Sequence, residues 1–237
     1  DYIESIIFGC REKGIIGCTG DGVPDFIHET ALETIKKADG HGIPFVKPWE
    51  DKELYEKFQK VAESAAPIMG VDIDAAGLVT LKKMGRPVSP KTVDKLREII
   101  EKSPGRFIVK GIMTKEDALA AADAGADAIV VSNHGGRVLD FTPGAAAVLP
   151  KICDAVKGKI TVLADGGVRS GADVLKFLAL GADAVMIGRP FSVAAVGGLK
   201  EGVVQYIEKI QTELEQAMVL TGVQNAADVP KTILTSY

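Results

Sequence analysis

The sequence predicts a (β/α)8 barrel of the TIM-barrel class, and three observations carry that prediction. A helix-then-strand unit occurs twice in similar form, at 114–132 (TKEDALAAADAGADAIVVS) and 170–188 (SGADVLKFLALGADAVMIG). Short apolar runs recur along the chain with helical patterns between them, the beat of parallel βα units rather than of hairpins. The 237 residues, 46% hydrophobic and 25% charged, suit one barrel of ~250 residues better than an open sheet.

Taken in order, DYIESIIFGCREKG at 1–14 is an amphipathic helix ending at Gly14. The first apolar run is IIGCT at 15–19 and the second is IPFVK at 43–47. The helical ELYEKFQKVAES leads to PIMGVD at 67–72, and the helical SPKTVDKLREIIEK leads to RFIVK at 106–110. In the two repeat copies, Thr114 with Asp117 and Ser170 with Asp173 have the spacing of a capping box. Gly125 and Gly181 stand where a left-handed residue ends a helix. Runs at 127–132 and 183–187 complete the copies, ITVLAD at 160–165 lies between them, and EGVVQYIEKIQTELEQAMVL is a closing helix. These seven runs are expected to be the second to eighth strands, with the first in an N-terminal piece outside this chain. Residues 1–237 are then one N-terminally incomplete barrel domain.

The formal charge of −4 and pI near 5.5 leave no basic footprint, so nucleic acid is not an expected partner. No apolar run approaches the ~20 residues that cross a bilayer, and the start lacks a signal-peptide layout, so the chain reads as cytoplasmic with no membrane partner. Cys10, Cys18 and Cys153 have neither CxxC nor Cys/His spacing and read as small buried hydrophobes, with no disulfide and no metal site.

Catalysis on this fold takes place at the C-terminal ends of the strands. Polar residues collect there: Thr19 and Asp21, Lys47, Asp72 and Asp74, Lys110, Ser132 to Arg137, Asp165 and Arg189. The loops ADGGVRSG (164–171) and IGRPF (187–191) follow the last two strands, where such barrels bind phosphate on backbone N–H groups. Gly166, Gly167 and Gly188 allow close approach, and Arg169 and Arg189 add bidentate donors. Two such loops at the expected strands favour phosphate over plain tight turns. Lys110 is either a snorkelling side chain or a cation beside a ligand, and its level with the phosphate loops favours the second. Asp165 either accepts hydrogen bonds from a polar ligand chain or caps the next helix. His134 precedes Gly135, Gly136 and Arg137, which can put a base and a carboxylate-binding fork on one turn. His28 and His41 lack such company and read as surface or capping residues.

At these residues the sequence resembles the FMN-dependent α-hydroxy-acid oxidase and dehydrogenase family. The resemblance rests on IVKGI (108–112), VVSNHGGRVLD (130–140), LADGGVRSGADVLKFLALGADAVMIGRP (163–190) and ELEQAMVLTG (213–222). The glycine loops are shared with other FMN barrels, including type 2 isopentenyl diphosphate isomerase, whereas SNHGGR points to the hydroxy-acid branch. The resemblance implies bound FMN, with its phosphate at Gly167, Arg169, Gly188 and Arg189 and its ribityl chain at Asp165, Gly166 being a further cofactor contact in the same loop. Thr19, Lys47 and Ser132 count as further cofactor contacts. It implies that Lys110 stabilises reduced flavin, that His134 is the base, and that Arg137 binds the carboxylate of a small 2-hydroxy acid. It also implies a homo-oligomer. An isomerase-type FMN enzyme and a catalytically silent flavin barrel are the alternatives. Two departures stand out: no Arg follows Asp72 before Arg86, and Lys47 stands where the family has a tyrosine.

Overall fold

A computed structural model describes residues 1–235. In chain order the elements are α1 (Tyr2–Glu12), β1 (Cys18–Thr19), α2 (Phe26–Lys37), β2 (Ile43–Val46), α3 (Asp51–Glu63), β3 (Ile68–Asp72), α4 (Val79–Lys83) and α5 (Val93–Glu101). They continue as β4 (Arg106–Ile112), α6 (Lys115–Asp123), β5 (Ala128–Val131), α7 (Ala145–Val156), β6 (Thr161–Ala164), α8 (Gly171–Ala179), β7 (Ala184–Val185) and α9 (Arg189–Thr221). Each of the seven strands coincides with one of the seven predicted runs, β4 continuing two residues past its run to Ile112. They form one parallel sheet in the order β1-β2-β3-β4-β5-β6-β7, each paired with its sequence neighbour. This is barrel winding, since an open doubly wound sheet would reverse its strand order.

Strand alternation sorts the core into two layers. Ile43, Phe45, Ile108, Ala128 and Val130, with Cys18, Ile68, Leu163 and Met186, fill the concave interior. Residues of opposite parity, among them Val46, Met69, Val71, Val109, Ile129 and Val162, pack outwards against the helices. Gly70 takes the inward place on β3 between Ile68 and Asp72 because the Phe45 ring lies there, and a Cβ at Gly70 would collide with it.

Local chemistry explains the element boundaries. Ser170 and Asp173 form the reciprocal capping box of α8. At α6 only half of it forms: Thr114 Oγ1 accepts from the Asp117 N–H and donates to the Asp117 carboxylate. The two aspartates of the repeated Gly-Ala-Asp-Ala do the same job, accepting from the N–H at the start of the preceding strand, Phe107 for Asp127 and Val162 for Asp183, each at 2.7 Å. Helix α5 begins at Val93, later than the sequence pattern suggests, because the Thr92 hydroxyl caps it. Helix α9 begins earlier than expected, at Arg189 with Pro190 in its first turn, and is interrupted at Leu199 (φ 49°, ψ −142°). Helices α2, α4 and α7 were not singled out in the sequence.

His28 is not a surface or capping residue. It is 1% exposed inside α2, and neither ring nitrogen has a hydrogen-bond partner among the described residues. Burial pushes its pKa down from 6.5 to about 4, with nearby Asp21 opposing the shift and Lys57 adding to it. His41 is half-buried and bonds the Ile15 carbonyl through Nε2. Of the cysteines, Cys10 is buried, while Cys18 and Cys153 are partly exposed.

Two outcomes are expected. Gly70→Ala should cost about 1–3 kcal/mol in a denaturant melt through overpacking, and Phe45→Leu in the same chain should recover part of the loss. Because the unfolded chain protonates His28 more readily than the folded one, stability should fall as pH drops from about 6.5 to about 4, by about 3 kcal/mol at most. Melts of His28→Leu at the two ends of that window should lack this component.

Candidate functional site

The inward rows that are apolar inside the barrel turn polar at their C-terminal ends. Two residues beyond Phe45 comes Lys47, beyond Gly70 Asp72, beyond Ile108 Lys110, beyond Val130 Ser132, and beyond Leu163 Asp165. Five strands thus deliver polar side chains to one level above a dry interior, which is why these residues meet.

Their contacts form a connected set. Lys47 Nζ donates to Asp72 Oδ2 at 2.7 Å, and both residues are buried. Lys110 Nζ lies 3.5 Å from Asp72 Oδ1 and 3.8 Å from Asp165 Oδ2, and donates to Ser132 Oγ at 3.2 Å. Ser132 Oγ also accepts from the His134 N–H at 3.1 Å, which holds His134 in a left-handed conformation (φ 57°). The His134 ring meets Asp74 Oδ2 through Nδ1 at 3.0 Å. Burial by itself would raise the Asp72 pKa, but the Lys47 and Lys110 ammoniums outweigh it and hold the carboxyl below its usual range. At Asp165 burial wins over Lys110 and the pKa is raised.

The other predicted residues sit around this set. Arg137 is exposed on the rim, with Nε donating to the His134 carbonyl at 3.2 Å. Gly166 and Gly167 both have positive φ; a Cβ on Gly166 would touch Ala145 at 3.7 Å, whereas Gly167 and Gly188, the N-cap of α9, have open space where a Cβ would be. Arg189 opens α9, and its guanidinium passes over Gly135, 3.3 Å from where a Cβ would sit. Arg169 precedes α8 and accepts the Tyr206 hydroxyl on its carbonyl. Neither Arg169 nor Arg189 forms an ion pair among the described residues. Thr19 lies one residue off the inward row, because Cys18 packs inside; among the described residues its buried Oγ1 has no hydrogen-bond partner.

Sequence reasoning assigned no site role to Asp72 or Asp74. Both were visible as polar residues at a strand end, yet what each one touches depends on strands far away in sequence. Arg86 does not supply a second carboxylate fork. It is held by Asp25 at 2.9 Å and by Glu53, over the Trp49 ring, on the outer side of the sheet beside α2 and α3. Asp21 serves the same outer assembly, accepting from Trp49 Nε1 at 2.5 Å and from Lys57 Nζ at 3.0 Å.

Two features of the mouth fit a bound flavin mononucleotide. Asp165 Oδ1 is a buried polar atom with no partner among the described residues, on the inward row beside Lys110. Arg169 and Arg189, neither ion-paired among the described residues, belong to the two glycine loops next to the orphan N–H groups that begin α9, a setting for a phosphate dianion.

Comparison with known proteins gives a consistent answer. Residues 58–236, more than half of the chain, match the family profile described as FMN-dependent dehydrogenase. Over 130 residues the chain is 52% identical to an L-lactate dehydrogenase of Caulobacter vibrioides, covering 55% of this chain and 34% of that protein. It is 48% identical over 143 residues to a peroxisomal (S)-2-hydroxyacid oxidase of Arabidopsis thaliana, covering 60% and 38%. The matches therefore span between about a third and two fifths of the length of these curated relatives. A mandelate oxidase crystal structure superposes with a TM-score of 0.83 at 27% identity, over 97% of this chain and 72% of that one.

The buried pair at the mouth has a thermodynamic signature. Lys47→Met should destabilise the protein at neutral pH by about 3 kcal/mol, since it leaves buried Asp72 with only the longer Lys110 contact. The depressed Asp72 pKa contributes stability above the unfolded carboxyl pKa of ~3.9, and that contribution is lost as pH falls through the lower folded value. Without Lys47 the carboxyl protonates at higher pH, so urea melts should show the gap between variant and wild type narrowing towards acid.

Proposed function

Because this chain belongs to the FMN-dependent dehydrogenase family, we propose that its barrel mouth oxidises a small 2-hydroxy acid to the 2-keto acid with FMN as cofactor. The observation that carries the proposal is the gathering of His134, Lys110 and Asp165 above the barrel interior, with Ser132 Oγ hydrogen-bonded to both His134 and Lys110 and Asp165 Oδ2 3.8 Å from the Lys110 ammonium. FMN, when bound, supplies the two-electron acceptor.

The chain's own groups supply the rest. Asp165 would hold the flavin's ribityl chain, and Gly166, Gly167, Arg169, Gly188 and Arg189 would hold its phosphate. Lys110 Nζ places a cation at the same level, where negative charge on the ring is stabilised; Ser132 keeps the ammonium in place. His134 is engaged at Nδ1, so Nε2 is the ring atom that takes a proton from the substrate. Arg137, anchored by Nε to the His134 carbonyl, keeps its terminal nitrogens for the substrate carboxylate. Lys47 serves through Asp72 rather than by touching the ligand, and Thr19 closes the end of β1.

The names of the relatives, a lactate dehydrogenase and a 2-hydroxyacid oxidase, support the substrate class. They favour this reading over an isomerase. No helix among the described residues is long and apolar enough to cross a membrane. Assembly as a homo-oligomer belongs to the same reading, supported by exposed Val193 and Val196 on α9.

The test is steady-state oxidation of lactate, glycolate and mandelate by the full-length protein, with a dye as electron acceptor. His134→Asn should lower kcat by about 100-fold or more while keeping FMN bound. Equal rates in the two proteins, or no turnover of any 2-hydroxy acid by FMN-loaded wild type, would overturn the proposal.

A further inference from the structure

Lys47, Asp72 and Lys110 stand side by side on three adjacent strands. The parallel register pairs Phe45 with Gly70 and Val46 with Val71, so Lys47 comes next to Asp72, and it pairs Asp72 directly with Lys110. One carboxylate therefore lies between two ammoniums at the same level of the inward rows. It does not serve them equally: Oδ2 accepts from Lys47 Nζ at 2.7 Å, whereas Oδ1 stays 3.5 Å from Lys110 Nζ.

The backbone at Lys47 explains which lysine takes the carboxylate. Its N–H donates to Asp21 Oδ2 at 3.2 Å, and its carbonyl accepts the Trp49 N–H at 2.8 Å. The same Asp21 carboxylate takes Trp49 Nε1 and Lys57 Nζ, and Pro48 restricts the residue before it to an extended conformation. Lys47 is thus buried on a fixed base with its ammonium against Asp72. Lys110 is tied more loosely, by Ser132 Oγ at 3.2 Å and by Asp165 at 3.8 Å, just before β4 slips register towards Ile112.

We propose that Lys47 is a positioning residue that sets the redox balance of the flavin: by holding Asp72 it keeps that carboxylate off Lys110 and leaves the Lys110 charge to the bound ring. The proposal rests on FMN occupying the mouth with Lys110 beside it. Reduction brings two electrons and one proton to the flavin, so negative charge develops on the ring. A cation whose carboxylate is held elsewhere stabilises that charge more than one neutralised in a close pair. Without the Lys47 charge, buried Asp72 has Lys110 as its nearest cation, and the cost of leaving a buried carboxylate unpaired drives the two together. The Lys110 charge is then neutralised by Asp72, and reduced flavin loses stability relative to oxidised flavin. The ammonium that stands where the family has a tyrosine thereby acts on the cofactor without touching it.

The test is the two-electron potential of the full-length protein loaded one-to-one with FMN, measured by equilibration with a reference dye. Lys47→Met should shift the equilibrium at least tenfold towards oxidised flavin, about 30 mV in potential. Lys47→Met combined with Asp72→Asn removes the carboxylate as well, and should return the equilibrium to within about threefold of wild type. If Lys47→Met does not fold, Lys47→Gln, which keeps a hydrogen bond to Asp72 without the charge, replaces it with the same expected shift. A crystal structure of the same single variant without FMN should show Asp72 closed onto Lys110 Nζ at about 2.8 Å. An unchanged potential in the single variant, a double variant as low as the single one, or an Asp72 that has not moved overturns the proposal. Neither measurement requires turnover of a 2-hydroxy acid, and the crystal structure decides even where no FMN binds. Failure of the proposed reaction and failure of Lys47 as a positioning residue are therefore separate results.

Discussion

Everything at the mouth of this barrel depends on how two ammonium groups are held next to an apolar interior. Lys47 and Lys110 rise from the same inward rows as Phe45 and Ile108, and desolvation there disfavours any unpaired charge. Asp72 meets both, short to Lys47 and longer to Lys110, and it stays ionised because they outweigh the cost of its burial. That asymmetry leaves Lys110 only loosely tied, to Ser132 and across to Asp165, and so able to serve a ligand. Had Asp72 bonded Lys110 tightly, the cation would be spent inside the protein.

The same arrangement governs recognition. Arg86 is committed to Asp25, Glu53 and the Trp49 ring away from the mouth, and Lys47 is committed to Asp72. On the proposed reading a substrate carboxylate therefore meets one fork, Arg137, which stands on the same turn as the base. A single exposed fork asks less of the substrate than a buried pair does, since it fixes one end of the molecule and leaves the other to the loops around the mouth.

The barrel was legible in the sequence because its signals are local. Strand parity, the glycines that end α6 and α8 and the hydroxyls that cap them lie within a few residues of what they control, and the polar strand ends follow from the same parity. Pairings across strands were not legible. The choice of Asp74 over Asp72 by His134 depends on a bulge at Gly111, some forty residues further along, which the sequence shows only as a glycine in IVKGI. His28 went wrong for a related reason: α2 was not singled out, so nothing showed that this histidine lies on its inward face. Thr19 is similar, since one residue of register on a two-residue strand decides which side it faces.

The most direct test of the central claim is a single-turnover experiment. The full-length protein, loaded one-to-one with FMN, is mixed with a 2-hydroxy acid in the absence of oxygen while the visible flavin absorbance is followed. Rapid bleaching that goes to completion, slowed by deuterium at the substrate's C2, is the outcome this site requires. Flavin that stays oxidised in the presence of lactate, glycolate and mandelate would contradict it.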